Sequence, residues 1–246
     1  MFQRAFVLWL GLIISAAAVA RPDTKIVQTT HQDSFTVMGQ TQPAKDEEQV
    51  LFIGADRMRL DSGTTTVLVR LDQKKMFLLD HEAKTASAVD LPIDLGAMLP
   101  PGMGEQMMQM MQFEVTVTPK DETRQIGQWQ TTGYELSMAS QMMSIQSTLW
   151  ATTDLDIDFD AYYELYSQIL TLQPGMKKMA DELRQIKGLV IEQEGVASMA
   201  MMGETSFTTS QKTVSIDEIT PPSDLYDVPS DYTSEPFDYM SFMQQR

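Results

Sequence analysis

Residues 48–90 read EQVLFIGADRMRLDSGTTTVLVRLDQKKMFLLDHEAKTASAVD. Polar turns at Asp61-Ser62-Gly63, at Asp72-Gln73-Lys74 and at 80–84 divide the stretch into short runs of Val, Leu, Ile and Phe. Runs of this length between turn residues predict an antiparallel meander. In 65–71, Val67, Val69 and Leu71 alternate with Thr66, Leu68 and Arg70, the period of a strand with two distinct faces. Met58 and Leu60 alternate with Arg57 and Arg59 in the same way, at the end of a strand expected over 49–60.

Working outward, 25–42 reads as a long first strand, polar enough for an edge, with Ile26, Phe35 and Val37 as its apolar positions. Beyond 90, Pro92, Pro100, Pro101, Gly96 and Gly102 hold off regular structure until about Gly104, and 104–112 can then form a short helix. Three half-buried strands follow, at 113–118, 129–139 and 144–152. Tyr162, Leu165, Tyr166, Ile169 and Leu172 then fall on one helical face, with Asp158 or Asp160 placed to cap its N-terminus. Met179, Leu183 and Ile186 mark a second short helix that Gly188 stops, before strands at 189–199 and 206–219. The expected class is α+β, with helices grouped against a mostly antiparallel sheet.

The first 20 residues carry a different signal. Arg4 precedes the apolar run AFVLWLGLII, and Ala18-Val19-Ala20 forms a small-residue cleavage site. The apolar stretch before Arg21 is 16 residues, short of the roughly 20 that a spanning helix needs. Residues 1–20 are therefore expected to be a signal peptide, 21–232 one domain, and 233–246 a flexible tail. Periplasmic or secreted localisation follows, with no stable membrane anchor after cleavage. Cleavage removes Arg4 and leaves 17 basic residues against 34 acidic ones, a net charge of −17. Such a surface does not suit nucleic acid, whose phosphates need clustered Lys and Arg. With no cysteine in the chain, disulfides and thiol chemistry are excluded.

Several segments in order resemble one bacterial family. IGADRMRLDSG with KKMFLLDHEAKTAS is similar to its strand ending in R-M-R and the hairpin that follows. IGQWQTTGYEL and LWATTDLDID resemble two of its later strands, and PPSDLYDVPSDY resembles its closing segment. The family is a periplasmic domain of unknown function, similar to the LolA and LolB type of lipoprotein carrier. Two departures stand out: Asp231 precedes Tyr232 where relatives have Gly, and Trp129-Gln130 stands where a Cys is frequent. The resemblance implies a curved antiparallel sheet, a half-barrel, with helices covering its concave face over an apolar cavity that takes acyl chains or other hydrophobic ligands; fold alone does not carry function.

On that reading the cavity is lined by Phe52, Met58, Leu60, Val67, Val69, Val115, Val117, Leu136 and Leu149. Met107, Met108, Met110 and Met111 would form a lid, together with Tyr162, Leu165 and Ile169. A slip of one residue in register would exchange the two faces of any strand. The 20 methionines allow three readings. They fill core gaps, they form an adaptable surface for varied acyl chains, or their thioethers hold copper. Asp154, Asp156, Asp158 and Asp160 resemble the start of a calcium loop, but Phe159 and Leu165 stand where Gly and Glu belong. A strand end feeding a helix N-terminus explains the same residues. His81 is a general base or an exposed turn residue, and the chain has neither a G-x-S-x-G elbow nor an H-E-x-x-H pair. The expectation is a non-enzymatic, cofactor-free protein that binds a lipid or other hydrophobic molecule, with an envelope protein as a further partner. A copper-handling protein and a structural envelope protein with a filled core are the alternatives.

Overall fold

A computed structural model describes residues 22–37, 39–94, 98, 113–140, 143–173, 175–199 and 205–239. The meander expected at 48–90 is present as β4 (Lys45–Ile53), β5 (Arg57–Ser62), β6 (Thr65–Arg70), β7 (Lys75–Asp80) and β8 (Thr85–Asp90). Its turns have the chemistry their residues dictate. Gly63 takes φ +55° in the two-residue β5–β6 turn, a conformation that side chains resist. In the β7–β8 turn the Asp80 carboxylate accepts from the backbone N–H groups of Glu82 and Ala83, at 2.9 and 2.8 Å.

A second meander comprises β9 (Glu114–Ile126), β10 (Trp129–Ala139), β11 (Met143–Thr152), β12 (Leu189–Met199) and β13 (Thr205–Ile219). Between β11 and β12 lie α1 (Phe159–Leu170) and α2 (Lys177–Leu183). Asp158 caps α1 by accepting from Ala161 N at 3.0 Å. β1 (Asp23–Gln32) joins the meanders, pairing antiparallel with β4 on one side and β13 on the other. A short hairpin, β2 (Phe35–Val37) and β3 (Gln40–Gln42), projects from it. The last strand, β14 (Thr233–Pro236), runs parallel to β8. The result is one mixed sheet of 12 strands in the order β14-β8-β7-β6-β5-β4-β1-β13-β12-β11-β10-β9.

Four expectations change. The fold is mainly β rather than α+β: 59% of the described residues are strand and 11% helical. The two helices pack on β5, β6 and β9 and form no layer over a concave face. Part of the difference is that β9 runs 13 residues, continuing past the expected strand end at 118 to Ile126. The run 49–60 is two strands, because Gly54 closes a tight turn in which its N–H donates to Arg57 O at 2.9 Å. β1 is central rather than an edge, and the expected single strand over 25–42 ends at Gln32. Its buried Asp23 and Gln28 are paired: Tyr226 donates to Asp23 at 2.8 Å and Gln28 donates to Thr213 at 3.3 Å. Finally, the expected tail enters the sheet as β14, and Tyr239 beyond it is buried.

Each sheet edge is blunted. Val117 N on β9 donates to the Glu182 carboxylate of α2, at 3.4 Å. β14 is four exposed residues ending in Pro236. Both devices limit pairing with another chain.

Candidate ligand-binding face

Alternation divides the sheet residues between two faces. The first face carries the main core: Ile26, Leu51, Ile53, Met58, Val67, Val69 and Met76 join Val115, Val117, Leu136 and Leu149 in one cluster with α1. The second carries a small cluster of Leu68, Leu79 and Ala86, with Val228 and Tyr232 packed on it.

Eight of the nine expected lining residues lie on the first face, seven of them buried in its core. Met58, Val69 and Val115 are wholly buried, and Val67, Val117, Leu136 and Leu149 nearly so. Leu60 is half-buried against them. Phe52 belongs to the opposite face: Met58 pairs with Ile53 and Leu60 with Leu51, while Phe52 pairs with Arg59. Leu51 and Ile53 thus replace Phe52, and Ile26 and Met76 complete that wall. Val50 and Phe52 alternate with Leu51 and Ile53 along β4, and the Gly54–Arg57 turn decides which set continues into Met58.

Of the expected lid, Tyr162, Leu165 and Ile169 are buried in the same cluster. Tyr162 stacks on Tyr166 with ring centroids 5.7 Å apart, and burial raises the pKa of both phenols. Met107, Met108, Met110 and Met111 lie outside the described residues. Leu91, Ile93 and Phe113, which flank that segment, all pack against the first-face core. Met138 is part of that core, and Met143 packs on it and pairs with Met199 across β11 and β12. Among the described residues no group of three His, Asp or Glu is placed to hold a metal ion.

The second face is held by the chain end. Arg59 and Arg70 donate to the carbonyls of Leu225 and Tyr226, each at 2.9 Å. Arg57 lies over the Tyr226 ring at 4.7 Å, a cation–π contact. Burial first, then the bond to Asp23, pushes the Tyr226 phenol pKa far up. Lys84 meets Asp231 at 2.7 Å, which raises the lysine and lowers the carboxyl. His81 is neither free nor fully exposed: its Nε2 is 2.8 Å from Thr66 Oγ1 and its Nδ1 is 2.5 Å from Tyr232 Oη. Thr66 is buried, so this Thr–His pair presents no accessible nucleophile. From Tyr232 the chain rounds the β8 edge as β14, and Phe237 reaches the first-face core.

At one end of the first face a cleft of about 430 Å³ opens between β9, β10, β11 and the α2–β12 connection. Its walls include Tyr134 and Ala151, both members of the first-face core. Tyr134 Oη accepts from Lys187 N at 3.1 Å, and the Asp154 carboxylate accepts from Gln130 N at 2.9 Å. No family model matches this chain, and no curated protein matches it.

Proposed function

We propose that this is a non-enzymatic extracytoplasmic protein that binds a hydrophobic ligand, a lipid or acyl chain, on the first face of its sheet. The observation that carries the proposal is the continuity of that face. Strands of both meanders and helix α1 contribute to a single apolar cluster, and the residues flanking the methionine-rich segment pack on it. Burying methylenes there would drive binding at about 0.8 kcal/mol each. The apolar run before Arg21 and its Ala18-Val19-Ala20 site support export to the periplasm. The order of strand motifs, which resembles a periplasmic family related to lipoprotein carriers, supports the ligand class.

A second reading has its own observation. Met58, Val69, Val115 and Leu165 are fully buried by protein atoms alone. A filled core of that kind suits a structural envelope protein that needs no ligand. Native mass spectrometry separates the two. On mature protein purified without detergent from its own envelope, a lipid adduct removed by organic extraction supports binding. An adduct-free mass, unchanged after incubation with phospholipid vesicles or palmitate, rejects it in favour of the filled core.

A further inference from the structure

The cleft at the end of the first face has a chemistry that the apolar-ligand reading does not use. Its 430 Å³ falls within the range of small-molecule sites, toward the smaller end. Pro119, Ala151 and the Tyr134 ring supply carbon surface, while Gln130, Thr132, Thr153, Asp154, Gln185 and Lys187 supply polar atoms. Several of these have hydrogen-bonding capacity to spare. Tyr134 Oη accepts from Lys187 N, which leaves its own proton to donate. Gln185 donates from Nε2 to Glu182 at 2.5 Å and keeps its carbonyl oxygen as an acceptor. Asp154 accepts from Gln130 N through Oδ2, with Oδ1 still able to accept. Lys187 forms no ion pair among the described residues, and an ammonium offers three donors.

Charge narrows the ligand class. One cation, Lys187, and one anion, Asp154, line the cleft and offset each other. The chain as a whole carries −16, a field that opposes an incoming anion. A cation would find a single carboxylate that already accepts a backbone bond, beside a competing ammonium. What suits interleaved donors, acceptors and carbon surface is a neutral ligand with adjacent hydroxyls, each able to donate and accept.

We propose that the cleft between Tyr134, Gln130, Asp154 and Lys187 binds a neutral saccharide of one or two rings. Such a ring can come from a free sugar or from the headgroup of a glycolipid. Because Tyr134 and Ala151 belong to both the cleft and the apolar core, a headgroup seated here would direct its chain toward the first face. The saccharide site itself does not depend on that face binding a chain.

Isothermal titration and saturation-transfer NMR on the mature chain test the proposal, using maltose, octyl glucoside below its micelle concentration and octyl sulfate. Maltose is expected to bind, and octyl glucoside to bind more tightly than octyl sulfate. Gln130→Ala and Lys187→Met alter exposed side chains and should leave thermal unfolding unchanged. Each should weaken maltose about fivefold, the effect of one lost hydrogen bond. Tyr134→Phe, which keeps the ring, should do the same. Equal affinity for maltose and octyl glucoside identifies a free sugar as ligand; a large gain for the alkyl glucoside identifies a glycolipid. The proposal is overturned if maltose gives no saturation transfer, if octyl sulfate is preferred, or if the three variants bind like the parent. Octyl glucoside binding that ignores all three variants overturns the saccharide site while leaving the apolar-ligand proposal standing.

Discussion

Replacing Tyr226 with Phe should destabilise the fold by about 2 kcal/mol through one hydroxyl. Tyr226 Oη donates to Asp23 at 2.8 Å, and Asp23 is only 6% exposed. A hydrogen bond to a charged group contributes about 1.5–3 kcal/mol, and a buried acceptor that loses it keeps its desolvation cost. Compensation is small, since the nearest cation, Arg57, is 4.0 Å from the carboxylate. The ring stays in place in Tyr226→Phe, so its packing and its contact with Arg57 at 4.7 Å survive. Tyr226→Ala removes these as well and should cost about 3–5 kcal/mol. Urea unfolding of the mature chain at pH 7 measures both, and a cycle with Asp23→Asn isolates the coupling. The expected coupling is about 1 kcal/mol or more. A loss below about 0.5 kcal/mol with no coupling would refute the view that the chain end is an integral part of the fold.

Other outcomes follow from the same contacts. Burial raises the pKa of five phenols, Tyr162, Tyr163, Tyr166, Tyr226 and Tyr239, the last to about 12. A raised pKa favours the native state fully below the unfolded value of about 10, and the benefit is lost as pH climbs toward the native values. Absorbance at 295 nm should therefore show these phenols ionising together with loss of circular dichroism above pH 10; titration near 10 with the fold intact would contradict this. Gly188 takes φ +107°, and a Cβ there would collide with the Thr152 carbonyl. Gly188→Ala should cost about 3 kcal/mol or more, read by urea unfolding. Truncation before Thr233 removes β14 and uncovers the β8 edge. Light scattering after gel filtration should then show concentration-dependent association, and a stable monomer would count against edge protection by β14.

Local pattern was enough to find most strands, and it failed where long-range pairing decides. Val67 and Val69 share a face with Met58 and Leu60 because alternation survives a tight hairpin, and the pairs Met58 with Val69 and Leu60 with Val67 follow from it. Phe52 lies on the face opposite to the expected one because the Gly54–Arg57 turn sets the parity between β4 and β5. Polarity misled at β1, since ladder bonds come from the backbone and a buried Asp23 or Gln28 is tolerated once partnered. The partner of Asp23 lies 203 residues away, beyond the reach of any local window. The chain beyond 232 differs from expectation for a similar reason: its place in the fold comes from Thr233–Pro236 pairing with β8, more than 140 residues away, and from Phe237 packing on the first-face core. Strand content exceeds the expectation in part because β9 continues across charged residues on an edge, where they face water.

Photolabelling with a diazirine-bearing palmitate, followed by peptide mapping, tests the central claim most directly. Ligand binding on the first face should place the label on peptides carrying Met58, Val69, Val117, Leu136 or Leu165, with unlabelled palmitate competing it away. Label confined to the second-face peptides around Phe77 and Val228, or label that excess palmitate does not displace, would contradict the claim.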